Sequence, residues 1–283
     1  MSNFAAPKQL EKSPADSLRH TTMKHPVAAG LRFIRNQEIK LNNTTSKTTT
    51  LMWLTSSSIG RKFIMCLTGA FLILFVTFHV LMNGVAIFWP TAYNMVCEFL
   101  GANWYAVAAT LGLAALVAVH IVYAFWLTLQ NYRARGKDRY AVTDKPQAVE
   151  WASQNMLVLG IIVVLGMVLH LWNFWYNMMF AELIHQPMLG GIHATNGYDY
   201  IAQTFSNPIY VVLYVIWLVA LWFHLTHGFW SALQTVGWSG KIWFERWKCI
   251  GYAYSTILIL MFLVVVAKFA ICGGAFCCGS CPL

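Results

Sequence analysis

Hydrophobic residues fall into five long runs, about Phe63 to Trp89, Trp104 to Gln130, Met156 to Phe180, Pro208 to Gln234 and Gly251 to Cys272. At 1.5 Å of rise per residue, each is long enough to carry a helix through a hydrocarbon layer about 30 Å thick. Trp89, Trp104, Tyr105, Trp172, Trp175, Tyr176, Tyr210 and Trp238 gather near the ends of the runs, where an interfacial aromatic belt lies. The expected fold is an all-α integral membrane domain, a five-transmembrane-helix bundle over residues 56–272. A polar extension, 1–55, precedes it and a Cys-rich tail, 273–283, follows.

Composition strengthens the membrane reading: 58% of residues are hydrophobic and 10% charged, where a soluble domain carries about 25% charged residues. A net charge of +9 suits nucleic acid at first sight, yet the cations are sorted by loop. Arg32, Arg35, Lys40, Lys47, Arg61 and Lys62 precede the first run; Arg133, Arg135, Lys137, Arg139 and Lys145 fill the second connection; Lys241, Arg246 and Lys248 fill the fourth. The first and third connections contain no Lys or Arg. Loops rich in these residues stay on the cytoplasmic side, so the N-terminus is expected in the cytoplasm and the C-terminus outside. Such a basic face suits anionic lipid headgroups and a soluble, acidic partner; no nucleic-acid partner is expected.

The first fifty residues are polar, include the low-complexity run Asn42 to Thr50 and lack the apolar core of a signal peptide. They read as disordered, and Met52 is an alternative start. Cys272, Cys277, Cys278 and Cys281 cluster at the end of the chain. On an extracytoplasmic side they suit a disulfide or metal role, the alternative being a dispensable tail.

Against this apolar background histidine stands in each of the first four runs: His79, His120, His170 and, in the fourth, His224, with His227 three residues further on. An ionisable side chain at bilayer depth is costly and faces the bundle interior. With successive spans running in opposite directions, His79 and His170 fall in the outer half of the membrane and His120 and His224 in the inner half. Two pairs at two heights, each drawn from two helices, are what a planar porphyrin needs to receive an imidazole on each face of its iron. Ala124, Gly166 and Gly228 lie one turn from His120, His170 and His224, and Gly69 about three turns from His79. Each is expected to clear the same helix face for a porphyrin edge, although small residues are also ordinary at helix contacts. The alternative for any single intramembrane histidine is an interhelical hydrogen bond. His227 competes with His224; the His-x-x-x-Gly spacing to Gly228 and the depth of His120 favour His224. That leaves His227 for a propionate, a quinone or the bundle lining. His185 and His193 belong to the third connection, and His20 and His25 to the extension.

From Ser56 to Ala270 the chain resembles the five-helix, two-haem cytochrome b anchor subunit of succinate:quinone oxidoreductases, including quinol:fumarate reductases. The resemblance rests on one His in each of the first four spans, on Thr68-Gly69 ahead of His79, on the stretch Gln130 to Arg135 after His120, and on His224 to Ser231. It implies that His120 and His224 hold the iron of the haem proximal to the soluble subunits, and His79 and His170 that of the distal one. It further implies a bacterial inner membrane, two haem b cofactors, an FAD flavoprotein subunit and an iron-sulfur subunit on the cytoplasmic side. The subunit would carry electrons between that iron-sulfur subunit and a menaquinone-type quinone. Succinate and fumarate would interconvert in the flavoprotein, so this chain belongs to an oxidoreductase without holding the dicarboxylate site. Bis-histidine iron is coordinatively full, which suits electron transfer rather than oxygen binding.

A quinone needs an apolar crevice, donors for its carbonyls and a proton path. Ser57, Arg61, Lys62 and His227 are candidates on the inner side; Glu98, Asn94 and Glu182 are candidates on the outer side, with the glutamates as proton carriers. Arg61 and Lys62 equally fit positive-inside anchoring, and the glutamates equally fit solvated span ends. Some family members carry an acidic residue two positions before the fourth-span ligand, where this chain has Trp222; that puts in doubt a transmembrane proton path along the fourth helix.

Other respiratory cytochrome b subunits form the next class, those of hydrogenases, formate dehydrogenases or bc-type complexes. In bc-type proteins two helices each bear two histidines about four turns apart, a pattern no run here shows. A haem-free transporter or structural anchor would use the histidines as proton relays or hydrogen-bond partners. Inverted halves would support a transporter, and no internal repeat is evident.

Overall fold

A computed structural model describes residues 35–40, 56–101, 103–135, 151–186, 188–189 and 191–272. The chain divides into two units, Met1–Thr55 and Ser56–Leu283. Only a helical turn over 35–40 is described in the first unit. Disorder is expected from sequence over the first fifty residues; 35–40 are instead helical, and the rest of that stretch lies outside the described residues, as do Cys277, Cys278 and Cys281 at the other end.

The second unit is an all-α membrane architecture with five helices long and apolar enough to cross a bilayer. They are α1 (Ser58–Phe88), α3 (Trp104–Arg135), α5 (Met156–Leu183), α7 (Pro208–Thr235) and α8 (Lys241–Cys272). Shorter helices are α2 (Pro90–Phe99), α4 (Trp151–Gln154) and α6 (Gly197–Phe205). Several spans outrun their apolar stretches. Helix α1 starts five residues before Phe63 and α8 ten residues before Gly251, because Arg61, Lys62, Lys241, Arg246 and Lys248 are good helix formers that hydropathy alone does not count. We call the end of the bundle where α1 begins the lower end, and the end where it stops the upper end.

Local chemistry sets the helix limits. Ser57 Oγ accepts from the Gly60 amide at 2.9 Å, an N-cap that starts α1. Asn207 caps α7 by accepting from the Ile209 amide at 2.9 Å, with Pro208 at the first helical position. At the other end of α7, Gly237 takes φ 82°, and the Trp238 amide reaches back to the Leu233 carbonyl at 3.0 Å. That left-handed cap needs a residue without Cβ strain.

Helix α5 changes its winding. It is α-helical over Met156–His170, a π-helix over Leu171–Phe180 and α-helical again over Ala181–Leu183. Helices α2 and α6, with a two-residue hairpin pairing Met188–Leu189 to Ile192–His193, cover the upper end. Helix α6 is anchored by the buried Tyr200, Ile201, Thr204 and Phe205.

Around the bundle α1 packs on α3, α3 more lightly on α5, α5 on α7, and α7 back on α1. Helix α8 stands outside this four-sided ring and packs on α7 and α1. The main core therefore lies among α1, α6, α7 and α8, with Val80, Phe205, Leu218, Leu258 and Phe269 buried.

Candidate functional site

The four span histidines meet in two pairs across the diagonals of that ring. His79 on α1 and His170 on α5 have ring centroids 5.6 Å apart with the rings perpendicular. His120 on α3 and His224 on α7 have centroids 6.4 Å apart at 69°. Neither α1 with α5 nor α3 with α7 is a principal helix contact, so the rings bridge helices whose backbones are not otherwise packed together. An imidazole whose nitrogen sits about 2 Å from a metal has its centroid about 3 Å away, and two facing imidazoles then stand about 6 Å apart. Both pairs lie near that separation.

Height follows from two glycines. A Cβ on Gly69 would come within 3.4 Å of the His120 ring, and one on Gly160 within 4.0 Å of the His224 ring. Gly69 is ten residues before His79 and Gly160 ten before His170, which sets the two pairs about 15 Å apart along the bundle. Gly69 thus serves the lower pair through a neighbouring helix, not the face around His79 as its position on α1 suggested. Gly160 was not singled out from sequence; the equal ten-residue spacing to a span histidine was its signal. Gly166 departs from expectation as well. A Cβ there would lie 2.0 Å from the Trp217 ring, and Trp217 Nε1 donates to the Val163 carbonyl at 3.0 Å. The missing side chain makes room for an indole. Gly228 has nothing within 4 Å of its Cβ position and leaves open space one turn from His224.

The surroundings of the pairs differ. Thr68 Oγ1 lies 3.0 Å from His120 Nδ1. Around the upper pair are Phe75 and Phe262 against His79, and Phe174, Trp217 and Tyr214 against His170. The π-helix begins at the residue after His170, and such segments recur at functional sites. All four histidines are only half-buried, whereas a bundle closed on itself packs its interior densely.

The donor set bears on what fits. Among the described residues, no three His, Cys, Asp or Glu side chains converge as a metal site. Each pair offers two imidazoles alone, which fits a metal bringing its own in-plane ligands, as a porphyrin iron does. His224 Nδ1 is buried without a partner, an orphaned polar atom beside the space at Gly228.

The remaining candidates separate by end. At the lower end Ser57 Oγ accepts the α1 cap bond from Gly60, which leaves its hydroxyl proton to donate elsewhere. Arg61 is half-buried; with the Gln130 amide oriented to satisfy both donors, its oxygen accepts from Arg61 at 3.0 Å and from Trp126 Nε1 at 2.9 Å. His227 packs edge-on to Trp230, with centroids 4.8 Å apart, and Lys248 stands over Trp230 and Phe244. Lys62 is exposed. At the upper end Glu98 is exposed and Glu182 half-buried, the latter with Oε2 2.5 Å from the Cβ position of the buried Gly101. Asn94 uses both ends of its amide to latch α2 to α6, donating to Asn196 Oδ1 at 2.8 Å and accepting from the Tyr198 amide at 3.0 Å. Trp222 donates to Thr256 Oγ1 at 3.0 Å and so ties α7 to α8.

Lys268 is a residue the hydrophobic pattern hid. From inside α8 it donates to the carbonyls of Ala86 and Ile87, at 3.1 and 2.7 Å, and so caps the end of α1. Comparison with protein-family models, curated proteins and solved structures finds no match to the chain.

Proposed function

We propose that this chain is the diheme cytochrome b membrane anchor of a succinate:quinone oxidoreductase. One observation carries the reading: two histidine pairs, on the two diagonals of a four-helix ring and about 15 Å apart in height, each with the spacing of imidazoles flanking one metal. In this reading His120 and His224 hold the lower haem b and His79 and His170 the upper one. The haems supply reversible one-electron transfer between a cytoplasmic iron-sulfur subunit and a membrane quinone of the menaquinone type. An FAD flavoprotein subunit interconverts succinate and fumarate.

The protein's own residues orient the imidazoles, keep water from the pairs and neutralise charge at the ends. The basic lower end, with Arg61, Lys62, Arg133, Lys241 and Arg246, is then the cytoplasmic face of a bacterial inner membrane. It would meet the soluble subunits and anionic lipid. Arg61 and His227 are the lower candidates for a quinone or a propionate, and Glu98 and Glu182 the upper candidates for quinone protons.

Visible difference spectra of membranes containing the protein test this reading. Succinate should reduce part of a b-type signal and dithionite a further part, each absent from control membranes. A signal that answers only to dithionite would leave a cytochrome b of another quinone-linked enzyme. A second reading, a haem-free anchor or transporter, draws on the Thr68 and His120 contact, which is also an ordinary interhelical hydrogen bond; it predicts no b-type signal at all.

A further inference from the structure

The hydroxyl of Thr68 has one proton and three polar neighbours. Its Oγ1 lies 2.9 Å from the Ile64 carbonyl, 3.1 Å from the Met65 carbonyl and 3.0 Å from His120 Nδ1. A carbonyl only accepts, so a Thr proton directed back along its own helix turn, as hydroxyls in membrane helices usually are, leaves the Oγ1 lone pairs to receive a proton from His120. Nδ1 then carries the hydrogen and Nε2 is the unprotonated base. The opposite tautomer would place an N–H at Nε2, which makes no hydrogen bond among the described residues, inside an apolar bundle where an unpaired donor is costly. Thr68 is itself buried, at 8% exposure, and a Cβ on its neighbour Gly69 would come within 3.4 Å of the same ring. The imidazole is thereby held by a hydrogen bond on one side, and the absent side chain of Gly69 leaves it room beside α1.

We propose that Thr68 is the positioning residue of the lower site: it holds His120 as the Nδ1–H tautomer and presents Nε2 to the metal. This rests on the reading of the pairs as haem ligands and adds an asymmetry to it. A hydrogen bond at the far nitrogen raises the basicity of a ligating imidazole and fixes its plane. That favours the oxidised metal, so loss of the bond moves the reduction potential upward. Neither His79 nor His170 has such a partner among the described residues.

The test uses the full chain in its own membranes, with Thr68→Val, which keeps the shape and removes the hydroxyl, and Thr68→Ser, which restores it. Potentiometric titration and the low-spin ferric resonance spectrum are read for each, and His120→Leu identifies the lower component. Thr68→Val should shift the lower potential upward and alter one ferric signal, or lose that component alone, with the upper component unmoved. Thr68→Ser should return both readouts toward the parent. Parent-like potentials and spectra in Thr68→Val would overturn the proposal, as would equal loss of both components in both variants, the mark of a packing role only. An unsubstituted protein without b-type haem would overturn the ligand reading itself, and this proposal with it.

Discussion

At the lower pair the His120 ring is held by the Thr68 hydroxyl and lies against Gly69, with the Arg61, Gln130 and Trp126 cluster on the same two helices toward the end of the bundle. At the upper pair His79 and His170 are enclosed by Phe75, Phe262, Phe174, Tyr214 and Trp217, beneath the cover of α2 and α6. The same two-imidazole unit has been given a polar, charge-tolerant setting in one place and an aromatic one in the other. Each pair offers the same two imidazoles, so any difference in behaviour between them must come from hydrogen bonding, nearby charge and exclusion of water. The cover of the upper end by α2 and α6, with Lys268 capping α1, and the basic residues described at the lower end make the same contrast at the scale of the bundle.

The largest test is to remove one ring. His120→Leu or His224→Leu should abolish one b-type component in difference spectra and leave the other, and His79→Leu or His170→Leu should do the reverse. Loss of both components from every single substitution would show that the pairs are not separate sites. Gly69→Leu sharpens this by filling the space against the His120 ring without replacing any of the four histidines. It should lower the content of the lower component severalfold, while Gly112→Leu, where nothing lies within 4 Å of the Cβ position, leaves both components in place. Equal spectra for the two glycine variants would mean that the approach of α1 to His120 is incidental.

How far the chain declares all this in advance differs by level. Five spans were legible because crossing a bilayer demands a run of apolar residues whatever the neighbours are. The pairing of the histidines was legible because helix rise and alternating direction convert sequence position into height. What a single sequence does not declare is which helix lies beside which. Gly69 and Gly166 read from sequence as clearing the faces around His79 and His170, but the rings nearest their Cβ positions, His120 and Trp217, sit on other helices. The π-winding after His170 has no marker in Leu171–Phe180, since a wide turn is chosen by packing and not by propensity. Ser57 reads from sequence as a donor for a quinone or a propionate and is also a helix cap, its oxygen accepting from the Gly60 amide. Lys268 escaped notice as one cation in an apolar run; its meaning depends on α1 ending opposite it.

Lys268 offers a smaller effect confined to the upper end. Its two hydrogen bonds come from a charged group to carbonyls that the end of α1 leaves unsatisfied. Lys268→Met keeps the apolar stem and removes the donors, with an expected loss of about 1–3 kcal/mol. Heating the purified protein and following each component should show the upper one lost at a lower temperature than in the parent, with the lower one moved less. A uniform shift of both would mean that the cap stabilises the whole bundle and that the two ends are not energetically distinct.

The smallest expected change concerns the dryness of the upper cover and is read on a thiol. Cys97 lies in α2 under α6, so close to Gly197 that a Cβ there would be 2.4 Å from its Sγ. Burial disfavours the thiolate and pushes its pKa up to about 11, against smaller opposing hydrogen bonds from Tyr93 and the Gly197 backbone. An unburied thiol titrates near 8.5, so the neutral group favours the fold below about pH 8.5, and that contribution fades as the pH rises toward 11. At pH 8 the thiolate fraction is then about two hundredfold below that of an unburied cysteine, and labelling should slow at least in proportion. Cys249, exposed toward the lower end, is the internal comparison. Maleimide in native membranes should therefore mark Cys249 and spare Cys97 until the pH approaches 11 or the protein is unfolded; equal rates at pH 8 would mean that α6 does not seal the upper end, and the contrast between a dry upper cover and the rest of the surface would fail.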